Sequence, residues 1–175
     1  LGIVPTSSTI NQLSIGDALA VAVLNKKDIN KKDFKKFHPS GNLGAQLRTV
    51  EELMIIGSKI PFVNENLNMK RALNIIANKK LGTVIVQNNK KITTGIITDS
   101  QIRRFNRMSN NLQDLSVKKV MTKNPVSINQ DTLAEKALSI MNVKKITSLC
   151  VHKDKNKKKT VGILHIHNLL DHNLQ

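Results

Sequence analysis

Two stretches of the chain carry the same alternation of apolar and polar positions. In the first, Ala72, Leu73 and Ile76 fall at the three-to-four residue spacing that lines one face of an α-helix; in the second, Ala137, Leu138 and Met141 do the same. Each helix runs into a lysine pair, Lys79-Lys80 and Lys144-Lys145. An unbroken apolar run follows, Val84-Ile85-Val86 and Leu149-Cys150-Val151, which reads as a buried strand. Next comes a polar hairpin, from Gln87 to Lys91 and from His152 to Lys159. A second strand, Thr94-Gly95-Ile96-Ile97 and Val161-Gly162-Ile163-Leu164, precedes a closing helix that starts near Ser100 and near Asn168. The residues from Arg71 to Val86 align with those from Lys136 to Val151 at a constant offset, 136 − 71 = 151 − 86 = 65. A proline, Pro61 or Pro125, opens each copy. An internal repeat of this kind is one structural unit used twice. It predicts an α/β (α+β) architecture built from two β-α-β-β-α units.

The first fifty residues follow a different pattern. Ser8 or Thr9 is placed to cap a helix whose apolar positions include Ile10, Leu13, Ala18, Val21 and Leu24, and which ends between Asn25 and Ile29. A short helix is predicted from Asn30, its N-cap, to Phe37, with Asp33 at the third helical position. Pro39 disfavours a helical His38 and breaks the pattern, and Gly41 and Gly44 frame a loop. Two or three helices without a strand cannot close a core. The segment therefore reads as the tail of something larger, as an initial Leu1 in place of Met also suggests.

Charge changes the picture less than its size implies. Lys and Arg number 28 against 12 Asp and Glu, a net charge of +16. Only 5 of the basic residues are Arg, 20 residues are Asn, and Trp and Tyr are absent. A stacking platform for single strands is excluded, and Lys is not the usual base reader. A drift toward Lys, Asn and Ile reads as the mark of an AT-rich coding sequence, so no nucleic-acid partner is expected. The basic run ending at Lys159 lies between two strands and reads as a solvated hairpin tip. The single cysteine, Cys150, makes no internal disulfide, and a reducing, cytoplasmic location is expected. The apolar run from Ala18 to Leu24 is far shorter than the roughly 20 residues that cross a bilayer, so neither a membrane span nor a signal peptide is expected.

The segment Gly95-Ile96-Ile97-Thr98-Asp99-Ser100-Gln101-Ile102, with Val120-Met121-Thr122, resembles CBS motifs. The resemblance implies a tandem CBS pair, with repeat 1 over 53–110 and repeat 2 over 117–175. Such pairs often bind adenine nucleotides between the repeats. A Thr hydroxyl faces the phosphate, and an acid three residues later accepts from the ribose. Here Thr98 is present but Gln101 stands for the acid; in repeat 2, His165 stands for Thr and Asn168 for the acid. Asn66 and Lys119, where the chain enters each repeat, complete the implied ligand set, which is expected to line two equivalent clefts. Without the acid, a sugar nucleotide or a phosphate ligand suits the lining better than free AMP.

The first segment narrows the resemblance. Leu1-Gly2-Ile3-Val4-Pro5-Thr6-Ser7-Ser8-Thr9, Gly16-Asp17-Ala18-Leu19-Ala20 and His38-Pro39-Ser40-Gly41-Asn42-Leu43-Gly44 are similar to the end of the sugar-isomerase (SIS) domain of D-arabinose 5-phosphate isomerases. Ser40 departs from that family's His-Pro-Gly-Gly. The ending from Val161 to Leu170, with His165 and His167, also looks like that family. The implied organisation is a SIS-domain end over 1–50 followed by the CBS pair. The implied reaction interconverts D-ribulose 5-phosphate and D-arabinose 5-phosphate for 3-deoxy-D-manno-octulosonate and lipopolysaccharide synthesis. It is an aldose–ketose isomerisation through an enediol, with a sugar phosphate as substrate and no cofactor. His38 is the implied catalytic residue, since histidine titrates near neutrality; the plain alternative is a loop-capping residue before Pro39. The family's remaining catalytic residues, a lysine and two glutamates, are expected upstream of Leu1, which leaves this chain catalytically incomplete. His165 and His167 lack a visible third ligand, so no metal is expected. A homo-oligomer is expected, a tetramer in the intact enzyme. The alternative reading is a free-standing CBS-pair module that binds a nucleotide or sugar nucleotide.

Overall fold

The computed structural model of the chain describes residues 5–29, 33, 47–108, 111–153 and 159–171. Two compact units divide it, 1–44 and 45–175. In the first, helix α1 (Thr6–Lys26) starts two residues before the expected cap. Pro5 is the residue that precedes it, with φ −79°, and among the described residues no side chain caps the helix. Proline is tolerated there because its ring restricts φ and a helix start needs no N–H from it. The Ser8 and Thr9 hydroxyls donate back to the Pro5 carbonyl, at 3.2 and 2.5 Å, from inside the first turn. No residue of α1 is buried; Ile10, Leu13 and Leu19 are more than 60% exposed. The helix predicted over 30–37 lies outside the described residues, Asp33 apart, and so do His38 and the loop after it.

The second unit contains two four-stranded sheets. Repeat 1 supplies β2 (Phe62–Asn64), α3 (Met69–Lys79), β3 (Thr83–Gln87), β4 (Thr93–Thr98) and α4 (Asp99–Met108). Repeat 2 supplies β6 (Ser127–Asn129), α6 (Ala134–Lys144), β7 (Ser148–His152), β8 (Gly162–His165) and α7 (Ile166–Leu170). Within each repeat the first strand pairs parallel with the second, and the second antiparallel with the third. The lysine pairs act as helix stops: Lys80 and Lys145 both take left-handed conformations, at φ 54° and 52°.

The segments that enter each repeat are exchanged. Helix α2 (Val50–Leu53) and strand β1 (Ile55–Ile56) precede repeat 1 in sequence, yet β1 pairs with β8, and Val50 and Leu53 are buried in the core of repeat 2. Helix α5 (Val117–Val120) and strand β5 (Thr122–Lys123) precede repeat 2, yet β5 pairs with β4, and Val117 and Val120 are buried in the core of repeat 1. The same hydrogen bonds hold both exchanges. Val117 N donates to Leu67 O and Met69 N to Leu115 O, each at 2.8 Å; their counterparts are Val50 N to Thr132 O at 2.9 Å and Ala134 N to Arg48 O at 2.8 Å.

Two glycines make the crossings possible. A Cβ on Gly95 would stand 2.6 Å from Met121 Sδ and 2.9 Å from the Thr122 carbonyl oxygen. A Cβ on Gly162 would collide with Met54 and stand 3.2 Å from the Ile55 carbonyl oxygen. A third cluster, Ile60, Ile85, Ile96, Cys150 and Ile163, joins the sheets. Four of its members match across the repeats, Ile85 with Cys150 and Ile96 with Ile163. Burial pushes the Cys150 thiol up to about 12 against a weaker opposing hydrogen bond with Thr160, so it behaves as a small apolar residue. Among the described residues, no helix is long and apolar enough to cross a membrane.

Candidate functional site

Each repeat turns sharply from its third strand into its closing helix, and both turns open on one cleft of about 560 Å³. Repeat 1 contributes Gly82, Thr98, Asp99, Gln101 and Arg103; repeat 2 contributes Lys145, Thr147, Ser148, His165 and His167. Thr122 and Asn124 line it from the exchanged segment. A backbone bond fixes each turn: Asp99 N donates to Gly82 O at 3.0 Å, and Ile166 N to Thr147 O at 2.9 Å.

In repeat 1 the polar groups spend their bonds on one another. Gln101 Oε1 accepts from Thr98 N at 2.6 Å and from Thr98 Oγ1 at 2.5 Å. Gln101 Nε2 donates to Thr122 Oγ1 at 2.6 Å. The Thr98 hydroxyl also shares a hydrogen bond with Ser100 at 2.8 Å. In repeat 2, Asn168 Oδ1 accepts from His165 N at 3.1 Å, which is the backbone bond of the Gln101 pattern repeated. His165 Nδ1 accepts from His167 N at 3.3 Å. An accepting Nδ1 places the neutral ring's proton on Nε2. The two imidazoles lie 4.9 Å apart between centroids. Burial first, and then the neighbouring His167, hold His165 below the ordinary histidine value.

Of the residues singled out by sequence, Thr98, Gln101 and His165 line this one cleft rather than two separate ones. Asn168 orders the turn from behind through His165 N. Asn66 sits in the turn after β2, its N–H bonded to Asn64 Oδ1 at 2.9 Å, and Lys119 lies exposed on α5; neither lines the cleft. His38 lies outside the described residues. Among the described residues, no three His, Cys, Asp or Glu side chains converge as metal ligands. Sequence reasoning missed Thr122, whose partner Gln101 is 21 positions away, and Ser148. Ser148 was within reach, because the 65-residue offset sets it opposite Thr83.

Comparison with known proteins adds a family and a length. The CBS domain model matches residues 50–107 and 117–174. Arabinose 5-phosphate isomerase KdsD from Salmonella typhi is 37% identical over 171 residues, covering 97% of this chain and 51% of that protein. The Francisella tularensis KdsD is 39% identical over the same length and shares. The uncharacterized protein RP505 of Rickettsia prowazekii is 34% identical over 166 residues, covering 95% of this chain and 50% of its own. The chain thus spans about half the length of the curated relatives it matches. Among solved structures, CBSX2 in complex with AMP superposes with a TM-score of 0.61 at 21% identity, over 73% of this chain and 96% of that one. The CBS-domain protein ATU1752 from Agrobacterium tumefaciens gives 0.62 at 20% identity, over 71% and 92%. Two matched repeats, their exchanged entry segments and the cleft between their turns make this chain a member of the CBS domain family, folded as a tandem CBS pair that follows a helical segment in sequence.

Proposed function

We propose that the chain is the C-terminal part of an arabinose 5-phosphate isomerase, and that its CBS pair is the regulatory and assembly module of that enzyme. One observation carries this reading. The likeness to the isomerases covers 97% of the chain, so it runs through the helical first segment as well as the CBS pair. A CBS pair of another lineage would match over the repeats alone. The exposed apolar side chains of α1 support the same reading, because a helix with that surface requires a partner to bury it. In this reading the intact enzyme is a cytoplasmic homo-oligomer, a tetramer, that interconverts D-ribulose 5-phosphate and D-arabinose 5-phosphate. His38 moves a proton at the substrate, and the cleft between the repeats takes a nucleotide or sugar-nucleotide regulator.

The test begins with the coding sequence upstream of Leu1. An upstream sugar-isomerase domain is expected, and the intact product is expected to form arabinose 5-phosphate in a coupled assay. His38→Ala in that product should lower turnover by about two to four orders of magnitude, as loss of a general acid or base does. The 175-residue chain alone should show none, because positioning needs the rest of the site. Turnover by the chain alone would sink the assignment of the catalytic half. A coding sequence that begins at this point with its own initiator would favour the free-standing binding module.

A further inference from the structure

The two halves of the cleft occupy equivalent positions in the repeat, and their chemistry differs. Thr83 and Ser148 correspond, since 148 − 83 = 65. Both are buried, at 1% and 6% exposure. Thr83 Oγ1 donates to the Ile97 carbonyl at 2.9 Å. Ser148 lines the cleft and pairs directly with His165 across β7 and β8, and its Oγ has no hydrogen-bond partner among the described residues. A buried hydroxyl left unpaired is a cost that a bound polar group removes. Repeat 1 offers no such vacancy, because Thr98, Gln101 and Thr122 satisfy one another.

Charge divides the halves the same way. In repeat 1 Asp99 stands in front of Gly82, its Oδ2 2.6 Å from where a Cβ on that glycine would be. It is the one carboxylate among the described residues that line the cleft. The matching position in repeat 2, 99 + 67 = 166, is Ile166 beside Thr147. Repeat 1 also lines the cleft with the Arg103 guanidinium, so its half holds one charge of each sign, whereas repeat 2 contributes Lys145, His165 and His167 and no carboxylate. An anion placed beside Asp99 is repelled; placed beside the imidazoles it meets N–H donors.

On the reading that the cleft holds a regulator, we propose that it holds one phosphate-bearing ligand per chain, seated in the repeat 2 half. The phosphate lies on the side of Lys145, His165 and His167, and Ser148 hydrogen-bonds the ligand's uncharged portion. The repeat 1 half, closed by Gln101 and screened by Asp99, stays empty.

Calorimetric and amide-resolved NMR titrations of the 175-residue chain test this, with AMP, UDP-glucose and inorganic phosphate as separate probes. The expected result is one site per chain, with shifts concentrated at Thr147, Ser148 and His165 to His167. Ser148→Ala should weaken the probe that binds best by roughly threefold to tenfold, the loss of one neutral hydrogen bond. It should raise the melting temperature of the ligand-free chain slightly, since it removes a buried hydroxyl that has no partner to lose. Thr83→Val should do the reverse, lowering the melting temperature and leaving affinity unaltered. Two equal sites, or shifts concentrated at Thr98 to Gln101, would overturn the asymmetry and leave the regulatory reading standing. An unaltered affinity in Ser148→Ala would overturn the role given to its hydroxyl. Saturable binding of none of the three probes would overturn the regulatory reading itself, and this inference with it.

Discussion

At the scale of single residues, the cleft is shaped by what replaces an acid and a threonine. Gln101 keeps the hydrogen-bonding geometry of a side chain that folds back on Thr98, yet it cannot add a charge. His165 keeps the position of Thr98 and adds a titratable ring. Because burial and His167 disfavour its cation, the folded state binds this proton less readily than the unfolded chain does. The sign follows. Above the ordinary value of 6.5 both states hold a neutral ring, and the full stability is present. As pH falls below that value the unfolded chain takes up a proton first, and stability is lost. The melting temperature of the chain should therefore drop between about pH 7 and about pH 5, and His165→Gln should flatten that slope. An unchanged slope in the variant would remove His165 from the account.

At the scale of elements, the exchange of short segments decides the fold more than the long helices do. Strands β1 and β5 are two residues each, and each crosses over a glycine of the strand it pairs with, Gly162 of β8 and Gly95 of β4. A methyl on Gly95 would press on the Thr122 backbone, which cannot swing aside as a methionine side chain can. Gly95→Ala should cost about 1–3 kcal/mol, the range for overpacking a closed site, as measured by urea unfolding. Gly162→Ala should cost less, because its backbone neighbour stands 3.2 rather than 2.9 Å away. Equal costs would mean that the methionines, not the backbone, set the limit.

At the scale of the whole molecule, the exchange ties the repeats into one cooperative body. Each core contains residues from the stretch that leads into the other repeat: Val50 and Leu53 in one, Val117 and Val120 in the other. Neither repeat, cut at its sequence boundary, retains a complete core. A chain that ends at residue 116 should lack dispersed methyl resonances in proton NMR, whereas residues 45–175 should unfold in one transition with coincident probes. A well-dispersed spectrum from the shorter chain would show that the exchanged segments are dispensable.

The sequence by itself determined the repeat, and with it most of the architecture. Helix periodicity at Ala72, Ile76, Ala137 and Met141, and the apolar runs around Ile85 and Cys150, are local signals, so the β-α-β-β-α units were legible without coordinates. The turn residues Thr98, Gln101 and His165 were legible only through the resemblance of their stretch to CBS motifs, not through the repeat itself. Asn66, in the turn after β2, and Lys119, exposed on α5, do not line the cleft, and nothing in their spacing along the chain tells where they lie relative to it. Only the tertiary structure showed that β1 and β5 change partners, that Thr122 closes over Gln101, and that the Thr83 hydroxyl is satisfied while that of Ser148 is not. Hydrogen bonds between residues far apart in sequence depend on how the sheets meet, and no spacing along the chain encodes that meeting.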